Sequence, residues 1–250
     1  MDADPKVIAQ NLQDVRRRLD AAAQRSGRLP STIRLIAVSK TFSADHVRAA
    51  LGAGQLDFGE NKVQEGLAKA GEIAGARWHL IGHLQSNKAK KTAAVFSAIH
   101  SVDSVELLNR IDVGAVEAGT APEILIQADL AGEETKFGAP AADIPAIAHA
   151  ALACRAARLA GLMLVPPWSE NPEDVRPWFR QLRELRDRLV AGGLPAASLA
   201  QLSMGMSHDF EAAIEEGSTI VRVGTAIFGK RGQAGKTAQR AEDLISGPEA

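Results

Sequence analysis

A lysine ends the first strongly apolar segment of the chain. The segment 33–40 reads IRLIAVSK, and its uninterrupted apolar run predicts a buried strand. Because side chains alternate along a strand, Lys40 shares a face with Ile36 and Val38. Apolar surroundings and a second cation disfavour the charged form of a lysine, and a neutral amine can form a Schiff base with an aldehyde. A lone lysine can instead extend its flexible stem to water, so this segment leaves both interpretations open.

Two later segments carry small and hydroxyl residues immediately after a predicted strand. In LSMGMSHDF, Gly205 allows close approach of the backbone, and Ser207 is a natural N-cap for the helix that follows. In VRVGTAIFG, Gly224 and Thr225 form a second small turn. Free backbone N–H groups at such positions favour an anion. Each motif alone could be a simple cap or turn, but together, after the last two strands, they predict a phosphate site.

An arginine precedes the second of these turns by two residues. Arg222 shares a strand face with Ile220, whereas Val221 and Val223 face the other way and suit packing against helices. Arg222 is therefore expected to point to the inner side of the sheet, which is the mouth of the barrel predicted below. A buried guanidinium needs an acceptor because it cannot lose its charge, and a structural salt bridge with a carboxylate is the simplest alternative. A reactive lysine, an inward arginine and a phosphate cradle together fit pyridoxal phosphate. Lys40 would bind its aldehyde carbon, and Arg222 its pyridine nitrogen.

Strand-like and helix-like segments alternate along the chain and must position these residues. The predicted strands are 33–40, 56–60, 77–82, 98–103, 123–130, 159–165, 199–205 and 219–224. The predicted helices are 6–27, 43–54, 61–73, 86–96, 104–119, 140–154, 171–193, 207–217 and 236–245. Eight such units indicate an α/β fold, a single (β/α)8 TIM barrel with 6–27 as an extra N-terminal helix. The barrel domain is predicted to span residues 1–250, and an open doubly wound sheet is the alternative.

The overall composition argues against several classes of protein. A net charge of −1 gives no general attraction to nucleic acid or anionic lipid. No apolar run approaches the roughly 20 residues that span a bilayer, and the acidic start lacks the apolar core of a signal peptide. A single cysteine, Cys154, excludes an internal disulfide and suits the cytoplasm. The histidines lack the spacing of a metal site, and the chain is expected to act as a monomer.

Several motifs occur together in an order and spacing that resemble one known family. They are AVSKTF, FGENKVQE, WHLIGHLQSNK, SVDS, ETKFG, GLMLVPP and LSMGMSHDFEAAIEEGSTIVRVGTAIFGKR, and they run from about residue 30 to residue 231. The family is that of the pyridoxal phosphate homeostasis proteins. The resemblance implies a single barrel similar to the N-terminal domain of alanine racemase. It also implies that pyridoxal phosphate is the cofactor and is held on the lysine of the first strand, here Lys40.

The same resemblance assigns further cofactor-binding residues. Ser207, Gly224 and Thr225 match its phosphate-binding positions, and Arg222 matches the arginine that faces the pyridine nitrogen. Asn61 and His83 match family motif positions near the cofactor, with less specific roles. The full set of expected cofactor-binding residues is Lys40, Asn61, His83, Ser203, Met206, Ser207, Arg222, Gly224 and Thr225.

The chain departs from the family pattern at three positions. Ser43 stands where proline is frequent, Lys62 where tyrosine or arginine is usual, and Asp129 where asparagine is frequent. Asp129 is the departure that could alter the pocket. Its charge would lie near the cofactor ring or pair with a cation such as Lys136.

Two features favour a carrier of the cofactor over an efficient enzyme. Arginine at the pyridine nitrogen keeps that nitrogen unprotonated, which weakens the ring as an electron sink. A racemase needs acid–base groups on both faces of Cα, and racemases resembling this barrel use a tyrosine from a second domain, whereas this chain has no tyrosine. The resemblance implies a protein that holds pyridoxal phosphate and passes it on, with apo enzymes as candidate recipients. The alternatives are a small racemase-like enzyme with His83 or water as second base, and an aldolase using Lys40.

Overall fold

Strands and helices alternate along the residues that the computed structural model describes, 3–132 and 137–229. The strands are β1 (Arg34–Val38), β2 (Asp57–Glu60), β3 (Arg77–Leu80), β4 (Ala98–Val102), β5 (Glu123–Asp129), β6 (Ala139–Pro140), β7 (Arg158–Leu164), β8 (Gln201–Met206) and β9 (Ile220–Val223). The helices are α1 (Pro5–Arg25), α2 (Ala44–Gly52), α3 (Val63–Glu72), α4 (Ala89–Ala93), α5 (Val105–Ala118), α6 (Ile144–Leu152), α7 (Arg176–Ala191), α8 (Phe210–Glu215) and α9 (Thr225–Phe228). The predicted helix 236–245 lies outside the described residues.

Eight of these strands close into a parallel barrel. Their order is β1–β2–β3–β4–β5–β7–β8–β9, and the pairing of β9 with β1 closes the ring, with Arg222 opposite Ile36. The two-residue strand β6 adds to the end of β5 outside this ring. Parallel strands linked by helices place the helices around the outside of the barrel. The predicted (β/α)8 TIM barrel with an extra N-terminal helix is therefore confirmed.

The side chains of the strands divide between two apolar cores. A small cluster fills the barrel interior and includes Ile36 of β1 and Ile220 of β9. A much larger cluster lies between the strands and the helices and includes Val221 and Val223 of β9. The alternation predicted for β9 is therefore confirmed, because Arg222 shares the inward face of Ile220.

Helix α1 packs against the barrel through both apolar and polar contacts. Asp4 caps its first turn by accepting a hydrogen bond from the Lys6 backbone N–H. Its apolar face, which includes Leu12, belongs to the large core cluster. Arg18 forms a two-pronged ion pair with Glu211 of α8. Among the residues described here, no helix is both long and apolar enough to cross a membrane.

Four predicted helices begin or run differently from expectation. The segment 171–193 forms a 3-10 turn at Pro172–Val175, and α7 starts only at Arg176. The segment 86–96 forms a 3-10 turn followed by the short helix α4. The segment 140–154 begins with β6, so α6 starts only at Ile144. The segment 207–217 begins with a turn, and α8 starts at Phe210. In each case the regular α-helix begins later than the polarity pattern indicates, because the first residues of the segment form a turn, a 3-10 turn or a short strand.

Candidate functional site

The residues that the sequence singled out lie at the C-terminal end of the barrel strands. Lys40 follows β1 by two residues, Ser207 follows β8 directly, and Gly224 follows β9 directly. A Cβ atom added to Gly224 would lie 3.2 Å from the backbone oxygen of Val38. Glycine at position 224 therefore lets the turn after β9 lie directly against the end of β1, where Lys40 begins its own turn.

Ser207 links the turns after β8 and β9. Its Oγ accepts hydrogen bonds from the backbone N–H groups of Gly224 at 3.0 Å and Ala226 at 3.4 Å. The expectation that Ser207 caps the helix after it is wrong, because α8 begins at Phe210 and Asp209 is its N-cap residue. The hydroxyl instead orders the neighbouring Gly224–Thr225 turn, so the two predicted anion-binding motifs form one structural unit.

Gly205 is needed for packing within the protein. Its φ is +93°, a conformation that favours glycine. A Cβ atom at this position would lie 2.6 Å from the Cβ of Ala213 and 3.0 Å from the Cα of Phe210, both in α8. Glycine at position 205 therefore lets α8 pack directly against the end of β8, whereas the close approach of a ligand stays a prediction.

Arg222 is buried and has no carboxylate partner among the residues described. Its NH1 donates to Ser203 Oγ at 2.7 Å, and its NH2 donates to the backbone oxygen of Leu164 at 2.9 Å. Only 4% of the residue is exposed. Burial lowers the pKa of its guanidinium to about 10, although the Asp209 charge opposes this change. Within residues 3–132 and 137–229, the structural salt bridge considered from the sequence is not found, and the acceptors that hold the Arg222 cation are neutral.

Ser203 and Met206 occupy different depths of β8. Ser203 is fully buried, and its Oγ lies 2.9 Å from His100 Nδ1 in addition to its contact with Arg222. Met206 is partly exposed at the end of the strand, and its backbone N–H donates to Asp209 Oδ1. Ser203 therefore supports Arg222 from inside the barrel, whereas Met206 lies at the rim.

The peptide groups on both sides of Lys40 are held by one ion pair of α3. Lys69 Nζ donates to the backbone oxygen of Ser39 at 2.8 Å, and Glu65 Oε1 accepts from the backbone N–H of Thr41 at 2.6 Å. Lys69 Nζ and Glu65 Oε1 form an ion pair at 2.7 Å. Thr41 has a φ of +68°, which is uncommon for a residue with a branched side chain. The ion pair therefore stabilises the turn that fixes the backbone of Lys40.

A buried glutamate completes this support. Glu60 Oε1 accepts from Lys69 Nζ at 2.7 Å and from Ser39 Oγ at 2.6 Å. Glu60 Oε2 has no hydrogen-bond partner within the described residues, and the side chain is fully buried. Burial raises the pKa of Glu60 to about 7, and the neighbouring Lys69 charge opposes that rise. Sequence patterns assigned no role to Glu65 or Lys69, although their spacing of four residues on a helix is the usual signal for an ion pair.

Asn61 and His83 lie on the rim beside β2 and β3. A Cβ atom on Gly82 would lie 2.3 Å from the Asn61 backbone oxygen, so the two turns contact each other directly. The His83 ring stacks on Phe137, with ring centres 3.7 Å apart. Its Nδ1 is 3.9 Å from Asp103 Oδ2, which is too long for a hydrogen bond.

Asp129 is used by its own turn. Its Oδ1 accepts from the backbone N–H groups of Ala131 at 3.1 Å and Gly132 at 2.9 Å. This pattern is an Asx turn, which needs a side-chain oxygen that asparagine would also supply. Lys136, considered as a partner for this carboxylate, lies outside the described residues, as does most of the ETKFG motif. Over the two described ranges, no three His, Cys, Asp or Glu side chains are grouped in a way that could hold a metal ion.

A family model and curated relatives match nearly the whole chain. The family model described as the N-terminal domain of alanine racemase matches residues 8–232. The chain is 42% identical to the "Pyridoxal phosphate homeostasis protein" of Aquifex aeolicus, covering 89% of this chain and 97% of that protein. It is 44% identical to the protein of the same name from Pseudomonas aeruginosa, covering 90% of this chain and 96% of that protein.

Solved structures agree in fold. PipY of Synechococcus elongatus, solved with PLP bound, is 38% identical and has a TM-score of 0.79, covering 89% of this chain and 100% of that chain. The alanine racemase of Clostridium difficile has a TM-score of 0.71 at 13% identity, covering 90% of this chain and 57% of that chain. The second similarity concerns the fold alone.

The raised pKa of Glu60 predicts a specific dependence of stability on pH. A carboxyl group whose pKa is raised by folding stabilises the protein when protonated, and this contribution is lost as the pH rises through the folded-state value of about 7. Between about pH 5 and pH 8, wild-type protein should lose on the order of 1–3 kcal/mol more unfolding free energy than Glu60→Gln. Urea unfolding at both pH values measures this difference.

The matched control is Glu117→Gln, which removes an exposed glutamate paired with Lys90. This variant should follow the wild-type pH profile. Superimposable profiles for wild-type protein and Glu60→Gln would show that Glu60 is ionised throughout this range.

Proposed function

The chain belongs to the family of pyridoxal phosphate homeostasis proteins, and on this basis we propose that it binds pyridoxal 5'-phosphate and releases it without efficient turnover. The observation that carries the proposal is the buried Arg222 cation without a carboxylate partner among the described residues. A guanidinium has five N–H groups, and two hydrogen bonds to Ser203 and Leu164 leave others for a ligand. The lone pair of an unprotonated pyridine nitrogen is a matching acceptor.

The turns after β8 and β9 fit the phosphate group. Ser207 supplies a hydroxyl, Gly224 leaves no Cβ between the turn and β1, and Thr225 supplies an exposed hydroxyl next to them. Loops after the last two strands of such barrels frequently bind phosphate. Ser207, Gly224 and Thr225 therefore form the proposed phosphate cradle, with Met206 at its edge and Asn61 and His83 on the opposite rim.

Lys40 is the proposed attachment point. The aldehyde of the cofactor would condense with the Lys40 amine, with loss of water, to give a Schiff base that can later be reversed. Glu65 and Lys69 hold the peptide groups on both sides of Lys40, so the side chain starts from a fixed backbone. A fixed attachment point lowers the entropy that is lost when the cofactor is held.

The same site supplies little of what an amino-acid racemase needs. A cationic Arg222 at the ring nitrogen disfavours protonation of that nitrogen, which reduces stabilisation of negative charge at a substrate Cα. The chain contains no tyrosine to act as a second base. His83, the alternative second base, is stacked on Phe137 at the rim. Reversible holding of the cofactor is the role that these residues support, and apo enzymes are its proposed recipients.

Attachment at Lys40 predicts the outcome of chemical trapping. Wild-type protein incubated with pyridoxal phosphate and reduced with borohydride should carry a pyridoxyl group on the peptide that contains Lys40, as measured by mass spectrometry. Lys40→Ala should lose this label. Lys90→Ala, which removes an exposed lysine paired with Glu117, is the matched control and should keep it. An unlabelled wild-type protein, or equal labelling of Lys40→Ala, would contradict the assignment.

The phosphate cradle predicts discrimination between two vitamers. Ser207→Ala and Thr225→Ala should each weaken binding of pyridoxal phosphate about tenfold, the usual effect of losing one hydrogen bond to a charged group. Binding of pyridoxal, which lacks the phosphate, should change much less. Titration of the visible absorption band with each vitamer measures both constants. Equal losses for the two vitamers would place the phosphate elsewhere.

A further inference from the structure

A chain of hydrogen bonds leads from Arg222 through the barrel interior. Ser203 Oγ lies 2.7 Å from Arg222 NH1 and 2.9 Å from His100 Nδ1. His100 Nε2 lies 3.1 Å from His79 Nδ1, and His79 Nε2 lies 3.0 Å from Asp57 Oδ1. We call these five residues the buried relay. Each of them is less than one-tenth exposed.

The buried relay connects the two ends of the barrel. Ser203 in β8 and His100 in β4 belong to strands that are not neighbours in the ring, so their contact crosses the interior. Asp57 is the first residue of β2 and therefore lies at the N-terminal end. There it accepts two hydrogen bonds from Arg77, at 3.0 and 2.7 Å. The Arg77 side chain is 58% exposed, so this end of the relay is in contact with the solvent.

The two ends of the relay fix the direction of its hydrogen bonds. Arginine can only donate, so Ser203 Oγ accepts from Arg222 and has its own proton to donate to His100 Nδ1. An ionised Asp57 can only accept, so His79 Nε2 carries a proton. With both rings neutral, one arrangement satisfies every contact: the protons of His79 and His100 are both on Nε2. Ser203 then donates to His100, His100 donates to His79, and His79 donates to Asp57.

The ionisation states agree with this direction. Burial raises the pKa of Asp57, but the hydrogen bonds from His79 and Arg77 outweigh it and bring the pKa down to about 2. Burial lowers the pKa of His100 well below its usual value, a positive charge on His79 would lower it further, and the Arg222 charge acts in the same sense. At neutral pH Asp57 is therefore ionised and His100 is neutral.

We propose that Asp57, His79 and His100 are positioning residues that hold the Arg222 guanidinium toward the cofactor ring through Ser203. The inference rests on the proposed function, because it assumes that Arg222 faces the pyridine nitrogen. A serine that donates to His100 is a better acceptor for Arg222, since successive hydrogen bonds polarise one another. In the opposite direction, the Ser203 oxygen would accept from both the His100 Nδ1–H and Arg222, and its own proton would have no acceptor in the relay. The carboxylate at one end of the barrel thus stabilises the cation at the other.

The direction of the relay can be measured without cofactor. Long-range ¹H–¹⁵N spectra of protein labelled with ¹⁵N-histidine report which ring nitrogen carries the proton. Wild-type protein at neutral pH should show His79 and His100 protonated at Nε2. Asp57→Leu should also shift the His100 proton toward Nδ1, although Asp57 contacts only His79 of the two rings. A wild-type His100 protonated at Nδ1 would overturn the proposal, and this result requires no variant to fold.

A double-mutant cycle tests whether the relay acts on the cofactor. Asp57→Leu should weaken binding of pyridoxal phosphate about tenfold, an effect typical of outer hydrogen-bond partners of a binding site. In a Ser203→Ala background the same substitution should have almost no further effect, because the link to Arg222 is already broken. Two residues that fill the core independently and do not contact each other would give additive losses. Additive losses would therefore overturn the proposal.

The matched control is Glu123→Leu. Glu123 is the first residue of β5, pairs with Arg34 at 3.2 Å and lies at the same end of the barrel outside the relay. It should leave the His100 proton and cofactor affinity unchanged, and an effect equal to that of Asp57→Leu would overturn the relay. Wild-type protein that fails to bind pyridoxal phosphate would contradict the proposed function, while the spectra without cofactor would still decide the direction of the relay.

Discussion

The structure depends on a buried positive charge that no carboxylate of the described part of the chain contacts. Arg222 is held by a serine hydroxyl and a backbone carbonyl, and removing a guanidinium from water is costly unless its donors are satisfied. Two consequences follow from this arrangement. The inside of the barrel must supply acceptors, which the buried relay does, and the open end must favour a ligand that accepts a hydrogen bond. A pyridine ring with an unprotonated nitrogen meets that second requirement.

Different strands of the barrel contribute different parts of the site. β9 contributes the cation, the turns after β8 and β9 form one unit through Ser207, and β1 leads to Lys40. Helix α3 contributes no proposed cofactor contact, yet Glu65 and Lys69 determine the backbone on both sides of Lys40. Positioning therefore comes from residues behind the site, as is usual where a side chain must be held in one geometry.

Sequence patterns were sufficient where the structure follows a simple period. Alternation along β9 placed Arg222 inside the barrel, and alternating strands and helices indicated the closed ring. The patterns failed where a short turn replaced a regular element, as at Ser207. The helical pattern predicted Ser207 as the N-cap of the next helix, but Asp209 is that N-cap, and the Ser207 hydroxyl accepts from the turn after β9. They also missed His79, His100 and Lys69, because their partners come from other strands or from backbone atoms that only the folded chain brings together. No local spacing encodes the contact between His100 and Ser203.

Under the proposed function, the Arg222 cation keeps the cofactor ring nitrogen unprotonated. The most direct measurement is the ¹⁵N chemical shift of that nitrogen in protein loaded with pyridoxal phosphate labelled at the ring position. Wild-type protein at neutral pH should give the shift of an unprotonated pyridine, and Arg222→Glu should give that of a pyridinium. A protonated ring nitrogen in the wild-type protein would contradict this role of Arg222.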